Sequence, residues 1–466
     1  MGETATGDGP VDVVVVGAGL SGLICARDLR RRGHRVRLLE ARERPGGRLH
    51  SRPTASGLVV DLGGLWGGRT HHRLAALVED LQLRRFPSPA DGDGHFHWQG
   101  VRRRAPLAEH FSDSLLFFQP EALGLPPREV SDALALNAAL EALAREVPAA
   151  APWSAPDATR LDRTTIAAWF DQRQAGPLAR HGIRWLTRVG GSGGFEPHES
   201  SLLHLAWTQA VAPQRDTPEA WLVEGAMGQV GRRLAEELAD ALQLRAPVEA
   251  IEETAGVVRV HHSGGAVLEA RAVVVAIPPA LRLGLRFSPP LPPAWTALLE
   301  RSPMGGMVKV LALYPEAFWR QEGLSGLGIG DLPLLELTAD SSPPGGRPGV
   351  LASFIAADAA AHWQRRDARA RRESVLADLT AYWGPGAANP TELILHNWNE
   401  DPWTRGAFTS FLTPGAWSTH GPSWRESHGR VLWAGTEAAL RWPGYFEGAI
   451  EAGLAAADQA VAWLRA

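Results

Sequence analysis

The chain has 466 residues, enough for two domains with sizeable cores. Its formal net charge of −4, with only the short basic runs Arg30-Arg31-Arg32 and Arg102-Arg103-Arg104 among spread acids, argues against a nucleic-acid surface. The single cysteine, Cys25, excludes an intrachain disulfide and a multi-cysteine metal site, and fits a reducing, cytoplasmic compartment. No stretch approaches the roughly 20 apolar residues of a membrane span. The first apolar run, Val11 to Val16, is too short and lacks the basic flank of an export signal.

In chain order, Val13 to Val16 read as a short buried strand that runs into Gly17-Ala-Gly19-Leu20-Ser21-Gly22. A helix then extends through Arg32, Gly33 ends it, and Val36 to Leu39 form the next strand, closed by Glu40. This is the strand–turn–helix–strand unit of a dinucleotide site. Gly17 permits the turn, Gly19 admits a pyrophosphate to the backbone, and Gly22 lets helix and sheet pack closely. The open helix terminus offers N–H groups to phosphate. Glu40 follows Gly22 by 18 residues, where a carboxylate can accept from ribose hydroxyls. Next comes Glu40-Ala41-Arg42-Glu-Arg44-Pro-Gly46-Gly47-Arg48, which matches a signature found after the ribose-binding acid in a group of FAD enzymes. Its glycines bring backbone near the pyrophosphate, and Arg48 supplies a bidentate charge.

Farther along, helical patterns cover Pro126–Val147 and Thr164–Arg188, and Pro289 to Pro293 and Pro343 to Pro348 read as linkers or turns. His71-His72 and His95 with His97 lack the sequence partners of a metal site and read as satisfied surface or core histidines, so no metal is expected. Of the 47 basic residues, 46 are arginine; the one lysine, Lys309, sits in the apolar run Met307-Val-Lys-Val-Leu-Ala-Leu-Tyr314. An ammonium is a compact charge with a tunable pKa, whereas guanidinium is a broad and permanent one. A chain that uses arginine everywhere else has a reason to place an amine in a strand. At the carboxy end, Pro443-Gly444 precede a helical pattern from Phe446 to Trp463, whose positive end can stabilise an anion.

Six blocks carry a resemblance to the flavin amine oxidase family, of which monoamine oxidase is a familiar member. Two are the glycine fingerprint and the Glu40–Arg48 signature. The others are Asp61-Leu-Gly63-Gly64-Leu65-Trp66-Gly-Gly-Arg-Thr70; Glu224 to Gln229 with Pro247-Val248-Glu249; Ala272 to Pro279; and Ala434-Gly435-Thr436-Glu437 through Trp442-Pro-Gly-Tyr445-Phe446-Glu-Gly-Ala449. The least matched stretch is about Pro87 to Thr187. The resemblance implies an α/β fold: a Rossmann-type FAD-binding domain (1–85, 200–285 and 420–466) with an inserted mixed α+β substrate domain (86–199 and 286–419). It implies FAD contacts at Gly17, Gly19, Leu20, Ser21 and Gly22, at Glu40, Ala41, Arg42, Gly47 and Arg48, and at Gly63, Gly64, Leu65 and Trp66. Further contacts are implied at Val248 and Trp398, and at Gly435, Glu437, Tyr445, Phe446 and Ala449.

In the same family a lysine in the strand after a glycine-rich turn holds a water at flavin N5 and assists the reaction of reduced flavin with oxygen; Lys309 falls there. Where mitochondrial monoamine oxidases tether flavin through a cysteine, this chain has Ala407, so noncovalent FAD is implied. Phe408 and Tyr445 match the two rings of an aromatic cage for the substrate amine, and Ser192 matches a small residue lining the substrate cavity. The implied reaction is hydride transfer from the carbon next to nitrogen to FAD, with oxygen as acceptor and peroxide as product. The implied partners are a small-molecule amine and oxygen, without nucleic acid or membrane; a homodimer stays open. An L-amino-acid oxidase remains an alternative, although Leu65-Trp66 lacks the arginine those enzymes place there and would need Arg69, Arg405 or Arg441. A flavin desaturase or cyclisation enzyme, and a noncatalytic flavoprotein, also remain.

Overall fold

The computed structural model describes residues 11–108, 118–213, 217, 219–254 and 256–465. Two large sheets organise them. The first has at its centre a parallel array in the order Val431–Trp433, Ala266–Val275, Val11–Val16, Val36–Leu39 and Leu242–Gln243. Its strands carry Val13, Val14 and Val15 with no exposed surface, as expected where helices cover both faces. Each such side chain stabilises the core by roughly 1.5–3 kcal/mol. Val248–Thr254 and Val257–His262 extend this sheet as an antiparallel meander, and Arg286–Ser288 closes its edge.

Helix Leu20–Arg31 packs on the final helix Phe446–Arg465 beside the central strand. A Cβ at Gly22 would sit 1.9 Å from the Gly17 carbonyl oxygen, so the first turn of the helix tolerates no side chain there. Glu447, in the first turn of the last helix, accepts from the N–H groups of Arg73 and Leu74 (3.1 and 2.9 Å). It thereby caps helix His72–Asp80, whose own cap residue His71 makes no capping bond.

The second sheet has seven strands in the order Glu392–Asn397, Met307–Tyr314, Gly349–Ala356, Leu337–Asp340, Leu324–Gly330, Asp93–Trp98 and Val101–Pro106. All neighbours are antiparallel except Leu324–Gly330 with Asp93–Trp98. A helical lobe (Pro127–Glu146, Pro177–Arg188 and others) packs against it through one apolar core. The molecule is thus the expected α/β type, a Rossmann-like parallel sheet with an inserted mixed half.

Some expected boundaries shift. Helix Leu202–Val211 buries Leu203, Leu205 and Trp207 in the helical core although it follows residue 200, and the first sheet runs past residue 285 to Ser288. The single helix expected over Thr164–Arg188 is two, Ile166–Gln172 and Pro177–Arg188. Gly176-Pro177 interrupts it, because proline lacks the N–H and forbids helical geometry in the residue before it. No helix among the described residues is long and apolar enough to cross a membrane.

Candidate active site

A cavity of about 1040 Å³ lies between the two sheets. That is at the upper end of the roughly 300–1,000 Å³ typical of small-molecule sites and leaves room for a dinucleotide and a second ligand. One end is built by the parallel sheet. Gly17, Gly19, Leu20 and Ser21 line it, as do Glu40, Ala41, Arg42, Gly47, Arg48 and Val248. A Cβ added at Gly19 would meet no protein atom within 4 Å, so the backbone there borders open cavity at the start of a helix. Glu40 is buried, with one carboxylate oxygen taking the Ala18 N–H (2.8 Å) and the other the Arg42 N–H (2.9 Å). Two backbone donors hold the carboxylate aimed, and leave lone pairs for hydroxyl donors. The Arg42 guanidinium donates to Asp401 and Thr404 (both 2.7 Å), while its Nε is buried without a partner.

These features fit a bound FAD. The open face at Gly19 suits a pyrophosphate, the fixed Glu40 suits the ribose, and the Arg42 Nε, buried without a partner, suits an acceptor of the cofactor. Gly22 and Glu437 were also expected as cofactor residues, and neither lines the cavity. Gly22 is taken up by helix–strand contact. Glu437 is buried behind Arg48, whose Nη1 donates to its carboxylate (2.7 Å) and to the Phe408 carbonyl. Glu437 therefore orients the arginine that borders the cavity. Gly435, Phe446 and Ala449 line the wall at the start of the last helix, so the positive end of that helix borders the cavity.

Lys309 lies at the meeting of the halves. Its strand is buried along its whole length and hydrogen-bonded on both sides, to Gly349–Ala356 and Glu392–Asn397. The ammonium nitrogen stands 3.4 Å from the Gly63 carbonyl oxygen, 4.4 Å from the centroid of Phe354 and 5.2 Å from that of Trp66. Burial lowers its pKa to about 7, against the opposing charge of Asp61. Burial in turn raises Asp61 to about 6, opposed by the N–H groups of Met227 and Gly228 that it accepts and by Lys309. Gly63, Gly64, Leu65 and Trp66 border the cavity beside this lysine, as does Trp398, whose indole N–H donates to the Leu62 carbonyl (2.9 Å).

Phe408 and Tyr445 line the same cavity, and a Cβ at Gly444 would lie 3.5 Å from the Phe408 ring, which brings residue 445 close to it. Ala407 is also in the wall, while Cys25 is fully buried in helix Leu20–Arg31 and does not border the cavity. Ser192 departs from expectation. It is buried, its hydroxyl has no partner, and the lining residues at this turn are its neighbours Gly190 and Gly191. The turn that follows helix Pro177–Arg188 points the serine into protein, with glycines at positive φ on either side.

The structure adds residues that sequence reasoning passed over. Asp61 opens the Asp61–Thr70 block, whose resemblance implies no role for it, and Phe354 lies 45 positions from Lys309 with no motif to mark it. His71 is not an idle core histidine. Its Nδ1 accepts from the Gly68 N–H (2.8 Å) and its ring stands edge-on to Trp442 and Tyr445 at 4.6 and 5.5 Å. Burial lowers it to about 3, so it is neutral and braces the tyrosine. His97 pairs with Asp331 (2.8 Å), a partner that 234 residues of separation concealed.

A parallel dinucleotide sheet, a cavity running from it to a buried lysine, and an aromatic wall define an FAD-dependent oxidoreductase acting on amines. The chain belongs to the flavin-containing amine oxidoreductase family, whose profile residues 20–461 match. It is 37% identical over 454 residues to an L-amino acid dehydrogenase of Synechocystis sp., a match covering 97% of this chain and 95% of the relative. Among solved structures it is similar to the cyclohexylamine oxidase of Brevibacterium oxydans, with a TM-score of 0.90, 30% identity, and 98% and 100% of the two chains covered. A putrescine oxidase solved with putrescine bound gives a TM-score of 0.89 at 27% identity, covering 97% and 99%. FAD is the cofactor of this family and of this protein.

Proposed function

We propose that the protein oxidises a small amine by hydride transfer and passes the electrons to oxygen. The observation that carries this reading is the sole lysine of the chain, buried at the cavity wall between Trp66 and Phe354. The bound FAD supplies the hydride acceptor. The C–H bond next to nitrogen breaks with its electron pair, the nitrogen lone pair forms the C=N bond, an N–H proton leaves, and water hydrolyses the imine.

The protein's own groups serve that sequence in distinct ways. Phe408 and Tyr445 face the amine with apolar surface and exclude water, so the nitrogen enters neutral with its lone pair available. Tyr445 is held by Trp442 and His71. Lys309, with a pKa near 7, carries an ammonium or an amine on demand and presents the one compact, tunable charge at the junction. It is the residue assigned to the oxygen step, in which positive charge stabilises developing negative charge.

A second reading, oxidation of an L-amino acid, is supported by the Synechocystis relative and by Arg69, which lines the cavity. Arg405 lines it too, next to the Arg42–Thr404 contact, whereas Arg441 does not. The deciding experiment is anaerobic mixing of the yellow protein with a panel of primary amines, polyamines and L-amino acids, followed by air. Bleaching by amines and recolouring with stoichiometric peroxide support the first reading. Bleaching by amino acids alone replaces the substrate, and recolouring only with a non-oxygen acceptor removes oxygen from the reaction. The lone cysteine supports a reducing, cytoplasmic setting for this chemistry.

A further inference from the structure

Four carboxylates border the cavity among the described residues: Glu40, Asp93, Glu219 and Asp340. Three are committed. Glu40 holds two backbone N–H groups, Asp93 pairs with Arg104 (2.6 Å), and Asp340 takes the Trp319 indole and Arg320 (2.8 and 2.7 Å). Glu219 has neither an ion pair nor a side-chain donor among the described residues; its own backbone N–H is the one group that reaches it.

Its position follows from backbone pairing. Gly67 and Trp221 exchange hydrogen bonds (2.8 and 3.0 Å), and the Arg69 N–H donates to the Thr217 carbonyl (3.1 Å). Glu219 lies between these two ties, so it is fastened alongside the loop whose Trp66 ring touches Lys309. On its other side the Ser88 N–H donates to the Ala220 carbonyl (3.0 Å), and Ser88, Pro89 and Ala90 line the cavity as Glu219 does. An acid without a partner in such a place costs stability unless something cationic arrives.

We propose that Glu219 receives a second cationic group of the substrate, so that the preferred substrates are aminoalkyl amines, either diamines or L-amino acids with a basic side chain. The inference rests on the amine-oxidation reading and names the substrate class within it. Arg69, whose backbone is tied to Thr217 beside Glu219, is placed to take the α-carboxylate in the amino-acid case. Burial raises the Glu219 carboxyl to about 8. The empty cavity therefore holds it protonated at neutral pH, and an entering cation draws it into the ionised form with release of a proton.

The test compares wild type with Glu219→Gln, which keeps size and hydrogen bonding and removes the charge. Holoprotein is reduced anaerobically with matched pairs, diaminobutane against butylamine and L-ornithine against L-norvaline. The same ligands are titrated calorimetrically in two buffers of different ionisation heat. We expect wild type to prefer one dicationic probe over its monocationic partner, and the variant to lose about ten- to a hundredfold on that probe alone. Proton release on binding the dicationic probe should be smaller in the variant by the share that the carboxyl gives up. The pair that discriminates tells diamine from basic amino acid. Equal losses on both members of each pair, or no loss, overturn the proposal. If no ligand reduces the flavin, the amine-oxidation reading falls, and calorimetric preference for the dications alone then decides whether Glu219 is a cation subsite.

Discussion

Lys309 and Phe354 stand directly opposite one another across an antiparallel strand pair, with the ammonium nitrogen 4.4 Å from the ring centroid. A cation over an aromatic face is held without a neutralising carboxylate in contact, so its charge stays available to the cavity. Trp66 covers it from the other half of the chain, and the Gly63 carbonyl fixes its reach. The lysine is thus oriented by a ring from each sheet region and by backbone, which constrains replacements severely.

Replacing Lys309 should separate the two half-reactions. Lys309→Met removes charge and donors at similar length, and Lys309→Arg keeps the charge on a group too broad for the space between Phe354 and Trp66. Both variants should bind FAD and be reduced by substrate near the wild-type rate, while reoxidation by oxygen slows on the order of a hundredfold, as expected for misplacement near 1 Å. Stopped-flow mixing with air-saturated buffer measures it. Wild-type reoxidation in the arginine variant would reduce Lys309 to a structural charge.

The pH dependence of that step follows from the coupled pair Lys309 and Asp61, lowered to about 7 and raised to about 6 by burial. The ammonium loses its proton as pH rises through about 7, so a step that needs the charge weakens on the alkaline side. Reoxidation should fall across this range in wild type and show no such limb in Lys309→Met. Asp61→Asn removes the opposing negative charge and should move the limb to lower pH. A limb that stays put in Asp61→Asn would dissociate the two residues.

Two glycines of one motif should fail differently. A side chain at Gly19 enters open cavity, so Gly19→Val should fold with near-normal thermal stability but purify colourless, as should Glu40→Ala. Gly22→Ala places a methyl group 1.9 Å from the Gly17 carbonyl oxygen and should lower the melting temperature of apoprotein as well. Flavin absorbance and calorimetric melting measure both effects. Full flavin loading of Gly19→Val would mean the cofactor does not pass this turn.

The flavin should leave the chain on acid denaturation, because Ala407 stands in the cavity wall and Cys25 is buried away from it. All yellow colour is expected in the supernatant. Flavin retained on the precipitated chain, detected by its fluorescence after proteolysis, would show a covalent bond to some other side chain.

What the amino-acid sequence determined by itself was whatever depends on near neighbours. The strand Val36–Leu39, the turn at Gly17 to Gly22 and the acid Glu40 lie within one local unit, whose geometry follows from glycine freedom and apolar runs. Lys309 was visible because composition isolated it, and the helix Pro127–Glu146 because its periodicity is sustained. The split of Thr164–Arg188 was also written locally, in Gly176-Pro177, and was overrun by the apolar pattern on either side.

Tertiary structure alone decided the rest, because contact across a sheet or between halves is not encoded at any fixed spacing. Register placed Phe354 against Lys309, and the loop–strand ties at Gly67 and Arg69 put Glu219 in the cavity. Whether a polar group is free for a ligand depends on which distant donors reach it. Asp93 and Asp340 are neutralised by arginines, Glu437 by Arg48, and Ser192 is turned away from the cavity by glycine backbone at its flanks. A carboxylate read from sequence has no such partners yet; folding assigns them to three of the four cavity acids and leaves Glu219 without one among the described residues.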